Sequence, residues 1–100
     1  MEIVHDLSRK SFMAKVDGCE AYLNYLSDGE SFDVRHTVVP SEIEGRGIAS
    51  ALVREAYDYA RAKGLQAIAT CSYAVKWLER HPEYNGIVSS DYAGNGSCAL

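Results

Sequence analysis

The stretch that decides the fold is residues 38–53, with the sequence VVPSEIEGRGIASALV. It begins as the end of an apolar strand, turns through a short segment with two glycines, and continues into a helix. Gly45 and Gly47 remove side chains at the turn, so the backbone N–H groups of residues 45–50 are accessible. The first N–H groups of a helix have no partner within it, and its N-terminus carries a partial positive charge. We therefore expect this segment to bind a phosphate or pyrophosphate group.

Four short segments before this stretch have the apolar pattern of β-strands, and turn residues separate them. They are residues 3–6, 11–16, 19–26 and 32–38. Asp17 and Gly18 form a tight hairpin turn between the second and third segments. The sequence therefore predicts an antiparallel meander of four strands.

The apolar period changes after Gly47 to that of a helix with one buried face. Residues 67–71 then predict a short buried strand, parallel to the strand before the helix. Residues 73–80 predict a second helix that stops before Pro82. The order of elements indicates an α/β (α+β) domain, in which a meander is followed by helix, strand and helix. Residues 91–97 are polar and Gly-rich, and we expect them to be mobile.

Length and composition favour one globular domain over residues 1–100, since 47% of the 100 residues are hydrophobic. A net charge of −4 and scattered basic residues argue against a nucleic-acid partner. No apolar run approaches the roughly 20 residues of a membrane span, and the first residues lack the pattern of a signal peptide. Cys19, Cys71 and Cys98 share no CxxC spacing, so we expect neither a disulfide framework nor a metal site. A reducing, cytoplasmic location is the default expectation.

Two common phosphate-binding motifs do not fit the glycine segment. It has no lysine, which a P-loop requires. Gly45, Gly47 and Ser50 come within one residue of the dinucleotide fingerprint. That fingerprint, however, belongs to a βαβ unit in a large parallel sheet, whereas here an antiparallel meander comes first. Neither motif accounts for the segment.

Residues 38–49 and the order of the elements resemble the acetyl-CoA-binding region of the GNAT N-acetyltransferase superfamily. The superfamily motif is written Gln/Arg-x-x-Gly-x-Gly/Ala, and Gly47 and Ala49 match its last two defined positions. Glu44 stands where Gln or Arg is usual, and a carboxylate cannot donate to a phosphate. The backbone donors therefore remain as the phosphate contacts, and Arg46 can supply the missing charge.

Four pieces of the chain resemble one branch of the superfamily, the small single-domain proteins often labelled YjdJ-type. They are His36-Thr37-x-Val39-Pro40, the glycine segment, Cys71-Ser72-Tyr73 and His81-Pro82-Glu83-Tyr84. This resemblance covers about residues 3–88, nearly the whole chain. It implies a mixed sheet that splays between the strand ending near Val39 and the strand ending at Cys71.

The resemblance also implies how acetyl-CoA is held. The pantetheine arm lies in the gap between the splayed strands and pairs with exposed backbone near Val38 and Val39. The pyrophosphate meets the N–H groups of the glycine segment. The implied cofactor contacts are Val38, Val39, Glu44, Gly45, Arg46, Gly47, Ile48, Ala49 and Ser50.

Three residues are candidates for the chemistry, because an amine must be neutral before it attacks a thioester. Cys71 is either a nucleophile that carries the acetyl group or a small buried core residue. His36 is either a base or a core histidine, since alternation places it on one face with Phe32, Val34 and Val38. Tyr73 either protonates the departing CoA thiolate or packs in the core.

The function that the resemblance implies is transfer of an acetyl group from acetyl-CoA to a primary amine, directly or through Cys71. The acceptor is a small molecule or a protein lysine or N-terminus. A non-catalytic module that binds or senses CoA or acetyl-CoA is the alternative.

Overall fold

The computed structural model describes residues 2–90, so the predicted mobile tail lies outside the described residues. The strands are β1 (Ile3–Asp6), β2 (Ser11–Val16), β3 (Cys19–Ser27), β4 (Ser31–Val38), β5 (Gln66–Ala69) and β6 (Ile87–Val88). The helices are α1 (Ile48–Ala62) and α2 (Ser72–Arg80), and single 3₁₀ turns cover Ser41–Ile43 and Pro82–Tyr84. The predicted α+β order is confirmed, and β6 is an additional strand that the sequence pattern did not predict.

The strands form one mixed sheet in the order β1-β2-β3-β4-β5-β6. β1 to β4 pair antiparallel, whereas β4–β5 and β5–β6 pair parallel. Because both parallel connections move one strand in the same direction, the right-handed rule puts α1 and α2 on one face of the sheet. The two helices contact each other there, with the rings of Tyr57 and Trp77 centred 5.8 Å apart. Neither described helix is long and apolar enough to span a membrane.

β4 contains a β-bulge, which changes the direction of its side chains. Asn24 pairs with His36 and Tyr25 pairs with Val34, so Arg35 has no opposite residue on β3. One extra residue in a strand shifts the alternation of everything that follows it.

The bulge overturns the predicted face of β4. Before it, Phe32 and Val34 are buried against the helices, and after it Thr37 is buried instead. His36 is exposed and Val38 is only half-buried, on the face that carries no described helix. The prediction that His36 and Val38 share a face with Phe32 and Val34 is therefore wrong, because strict alternation cannot anticipate a bulge.

β4 and β5 separate beyond Val34, as expected from the resemblance. The last β4–β5 pair is Val34–Ala69. Beyond it, the N–H groups of Thr70 and Cys71 both donate to the carbonyl of Val34, at 3.0 and 3.1 Å. Within the part of the chain that is described, no β5 residue pairs with residues 35–38 of β4. The two strands thus form a V-shaped opening, in which β5 no longer pairs with the end of β4.

The His81-Pro82-Glu83-Tyr84 motif fastens α2 to α1. His81 Nδ1 donates to the carbonyl of Trp77 at 2.7 Å, and the two rings stack with centroids 3.9 Å apart. Tyr84 Oη donates to the Asp58 carboxylate at 2.5 Å, across to α1. Pro82 begins a 3₁₀ turn after α2 has ended at Arg80, which confirms its predicted role as a helix stop. The motif is thus structural and holds α2 in place.

Candidate functional site

A cavity of about 270 Å³ lies where the end of β4, the glycine segment and the start of α2 meet. Every predicted cofactor contact lines it except Val38 and Arg46, and Ile43 and Tyr73 complete its wall. Val39, which directly follows β4, and the start of α1 therefore border one space.

Backbone N–H groups are the donors that the glycine segment offers to this cavity. Gly45 and Gly47 have φ values of +78° and +77°, which glycine adopts without the strain of a Cβ atom. Gly47 is the N-cap of α1 and makes no side-chain cap hydrogen bond. The first bond back to it comes from the N–H of Ala51, at 3.0 Å. The amides of residues 48–50, which by helix geometry have no acceptor one turn earlier within the helix, are thus available to an anion.

Ser50 adds a hydroxyl group to the same wall. Its Oγ accepts a hydrogen bond from Trp77 Nε1 at 3.1 Å. This bond fixes the serine oxygen between α1 and α2 and leaves its own proton to donate to a ligand oxygen.

The glycine segment carries two charged residues, Glu44 and Arg46, and Arg46 does not lie where it would supply a charge to a phosphate. Arg46 forms an ion pair with Asp17 in the β2–β3 turn and does not line the cavity. Glu44 does line it and is exposed. Glu44 is the one charged group among the lining residues, so a phosphate in this cavity would meet a carboxylate beside the backbone dipoles.

The three catalytic candidates occupy different environments. Tyr73, near the start of α2, is half-buried and lines the cavity. Cys71 is fully buried and lies at the N-cap of α2, with its Sγ 3.5 Å from Thr37 Oγ1. Cys71 is disulfide-bonded, so the expectation of no disulfide, drawn from the cysteine spacing, is wrong, and the sulfur is a nucleophile only after reduction. His36 is exposed on the face without a described helix, so the core-histidine interpretation is wrong.

A polar network closes the apex of the V on the face opposite the helices, and the sequence analysis missed it. Thr70 Oγ1 donates to both carboxylate oxygens of Asp33, at 3.0 Å each. Arg35 Nη1 lies 3.1 Å from Asp33 Oδ2 and 3.3 Å from Thr70 Oγ1. No local sequence pattern predicts this network, because Thr70 lies 35 residues from Arg35 and 37 residues from Asp33 along the chain.

Among residues 2–90, no group of three or more His, Cys, Asp or Glu side chains is arranged to hold a metal ion.

The chain is similar to known proteins both in sequence and in fold. The family described as GCN5-related N-acetyl-transferase matches residues 11–87. Protein NATD1 of Xenopus tropicalis is 35% identical over 85 residues, which cover 82% of this chain and 78% of that protein. Protein NATD1 of Homo sapiens is also 35% identical, over 82% of this chain and 75% of its own length. The solution structure of a GCN5-like protein from Staphylococcus aureus superposes with a TM-score of 0.67 at 25% identity, covering 94% of this chain and 95% of the other.

Proposed function

Because the chain belongs to the GCN5-related N-acetyltransferase family, we propose that it binds acetyl-CoA and transfers the acetyl group to a primary amine. The observation that carries this proposal is the cavity that the uncapped start of α1 shares with Val39, which directly follows β4, and with Tyr73 in the first turn of α2. The chain covers 95% of the Staphylococcus aureus chain, and this match in length supports the proposal that it belongs to the small single-domain branch.

Each part of the cavity suits one part of acetyl-CoA. The amides of residues 45–50 and the Ser50 hydroxyl suit the pyrophosphate. The end of β4, beyond its pairing with β5, suits the amide groups of the pantetheine arm, which would pair with it as an added strand does. Glu44 stays in the proposal as a neighbour of the pyrophosphate, and Val38 as part of the end of β4. Arg46 stays through its backbone N–H, since its side chain pairs with Asp17.

The proposed reaction is direct transfer. The nitrogen of a neutral amine forms a bond to the thioester carbonyl carbon, and the C–S bond then breaks. Tyr73 Oη donates its proton to the departing CoA sulfur, and the amine nitrogen loses a proton to solvent. The position of Tyr73 in the cavity wall supports this role.

A covalent route through Cys71 remains a prediction for the reduced protein. Its sulfur would take the acetyl group from CoA and pass it to the amine. Full burial and the disulfide both count against this route. Intact mass of the reduced protein with acetyl-CoA tests it, since an adduct that disappears in Cys71→Ser would support it.

A CoA-binding module without turnover is the second candidate. Neither His36 nor Cys71 lines the cavity, so Tyr73 is the single proposed catalytic residue in its wall. This observation supports binding of the cofactor more strongly than it supports activation of an acceptor amine.

The test combines binding with turnover. Calorimetry with CoA measures affinity, and release of free thiol from acetyl-CoA across a panel of primary amines measures transfer. We expect Tyr73→Phe to keep the CoA affinity and to lower kcat by about 100-fold, because it removes the proton donor. Binding without thiol release for any amine would favour the sensing module. No binding of CoA would overturn both.

A further inference from the structure

A second cavity, of about 360 Å³, adjoins the first, and the two share Ser50 and Tyr73. Lys76, Trp77 and Arg80 form the rest of its wall, and no acidic residue lines it. The first cavity thus continues from the start of α1 along the outer side of α2.

Lys76 and Arg80 lie four residues apart and hence on one face of α2. Tyr73 lies one turn earlier on the same face, so the row begins in the first cavity and extends outward by about 10 Å. Both basic side chains are exposed. Neither forms a salt bridge with a carboxylate in the described chain.

Other arginines near the site already have partners. Arg46 pairs with Asp17. Arg54 lies over the Trp77 ring, 5.4 Å from its centroid, and its Nη2 is 3.4 Å from His81 Nε2. Lys76 and Arg80 are therefore the pair of cations that this second cavity offers to a ligand.

CoA has two separate anionic groups, the pyrophosphate and a 3′-phosphate on its ribose. A phosphate monoester carries about −1.5 to −2 charges at pH 7. The first cavity offers it backbone dipoles and an opposing Glu44 carboxylate, whereas the second offers a point charge from lysine and a planar guanidinium from arginine.

We propose, on the basis of the function proposed above, that the second cavity binds the 3′-phosphoadenosine end of CoA. Lys76 and Arg80 pair with the 3′-phosphate, and the Trp77 ring, held by Ser50 and His81, forms a rigid wall beside them. The chain thereby selects CoA over dephospho-CoA, which lacks only this phosphate.

Calorimetry with CoA and dephospho-CoA at low salt tests this proposal. We expect the unaltered protein to bind CoA about 10-fold more tightly than dephospho-CoA, and the preference to shrink as salt screens these exposed charges. The double variant Lys76→Gln/Arg80→Gln should lose the preference by weakening CoA alone. The control Arg9→Gln/Lys15→Gln removes the same charge from β2 and the turn before it, and should keep the preference.

Two results would overturn the inference while leaving the proposed function intact. One is equal affinity of the unaltered protein for both ligands. The other is an equal loss of both affinities in the Lys76/Arg80 variant, since the pair would then act on the pyrophosphate. If the unaltered protein binds neither ligand, the proposed function fails, and this inference fails with it.

Discussion

Glu44 is the residue at which this chain departs most from the motif it resembles. Its carboxylate borders the cavity, while Arg46, the nearby cation, is turned toward Asp17. Exposed ion pairs contribute about 0–1 kcal/mol, so the Arg46–Asp17 pair gives little stability and its main effect is on where the charge lies. The proposed anion site therefore depends on main-chain groups, and the Glu44 carboxylate opposes it.

Glu44→Gln should tighten CoA binding by about fivefold. It removes a repulsion of about 1 kcal/mol between an exposed carboxylate and the pyrophosphate, and an amide can donate where the carboxylate cannot. Calorimetry with CoA checks this prediction.

Glu42→Gln is the matched control, because Glu42 is an exposed carboxylate in the preceding 3₁₀ turn that does not line the cavity. Equal gains in both variants would mean that net charge alone is responsible. Weaker binding by Glu44→Gln would assign the carboxylate a positive role in the site.

β4 is the element on which the site depends. Its first half pairs with β5, its bulge at Arg35 turns the strand, and its second half borders the opening. The turn before it is held by Asp28, whose Oδ1 accepts from the N–H groups of Glu30 and Ser31 at 2.8 Å each. The Ser31 hydroxyl donates to the same oxygen at 3.1 Å. The start of β4 is thus defined by one exposed carboxylate.

These hydrogen bonds lower the pKa of Asp28 from its ordinary value of 3.8, and the bond from the Glu30 N–H has the largest effect. A lowered pKa in the folded state contributes stability above pH 3.8, and this contribution is lost as the pH falls through the lower folded value. We expect Asp28→Asn to lower the Tm by a few degrees at most near pH 7. The difference from the unaltered protein should shrink below about pH 4.

Thermal unfolding followed by circular dichroism between pH 2 and pH 7 measures this difference. Glu20→Gln removes an exposed carboxylate from β3 and should leave the Tm nearly unchanged across the range. A difference between Asp28→Asn and the unaltered protein that stays constant with pH would show that the charge on Asp28 is not responsible.

At the scale of the whole molecule, one sheet carries both helices on one face, and the opening lies where the parallel strands β4 and β5 separate. Aromatic rings fill the other end of the core, where Tyr25 and Phe32 stack with centroids 4.3 Å apart. Tyr25 and Phe32 do not line the cavity, whereas Val39, Ile43 and Ile48 belong to both the core and the cavity wall.

Acetyl-CoA should therefore slow amide hydrogen exchange locally. We expect protection at residues 36–39 and 45–50, because these backbone groups border the opening and the start of α1. β1 and β2 should change little at short exchange times, since they lie away from the cavity.

Exchange measured by mass spectrometry with and without acetyl-CoA tests this expectation. Protection confined to β1 and β2 would contradict the proposed site. Uniform slowing at all times would indicate global stabilisation by binding rather than contact with these segments.

Local patterns were enough to predict much of this protein. The glycine segment, the start of α1 and the stop at Pro82 follow from the conformational preferences of Gly and Pro, which depend on nearby residues alone. The order of the elements up to α2 follows from apolar periods of two and 3.6 residues. β6 escaped prediction because it has only two residues, too few to show a period.

The sequence by itself thus determined the family and the order of its elements, and it predicted the anion site that we propose at residues 45–50. Only the tertiary structure decided which side chains face that site. The bulge at Arg35 arises from pairing with β3, and it moves His36 to the outside. Asp17 in the β2–β3 turn pairs with Arg46, whose side chain therefore does not line the cavity. Packing of α2 on α1 brings Lys76 and Arg80 beside Ser50. Each of these arrangements joins residues far apart in the chain, so no local pattern records them.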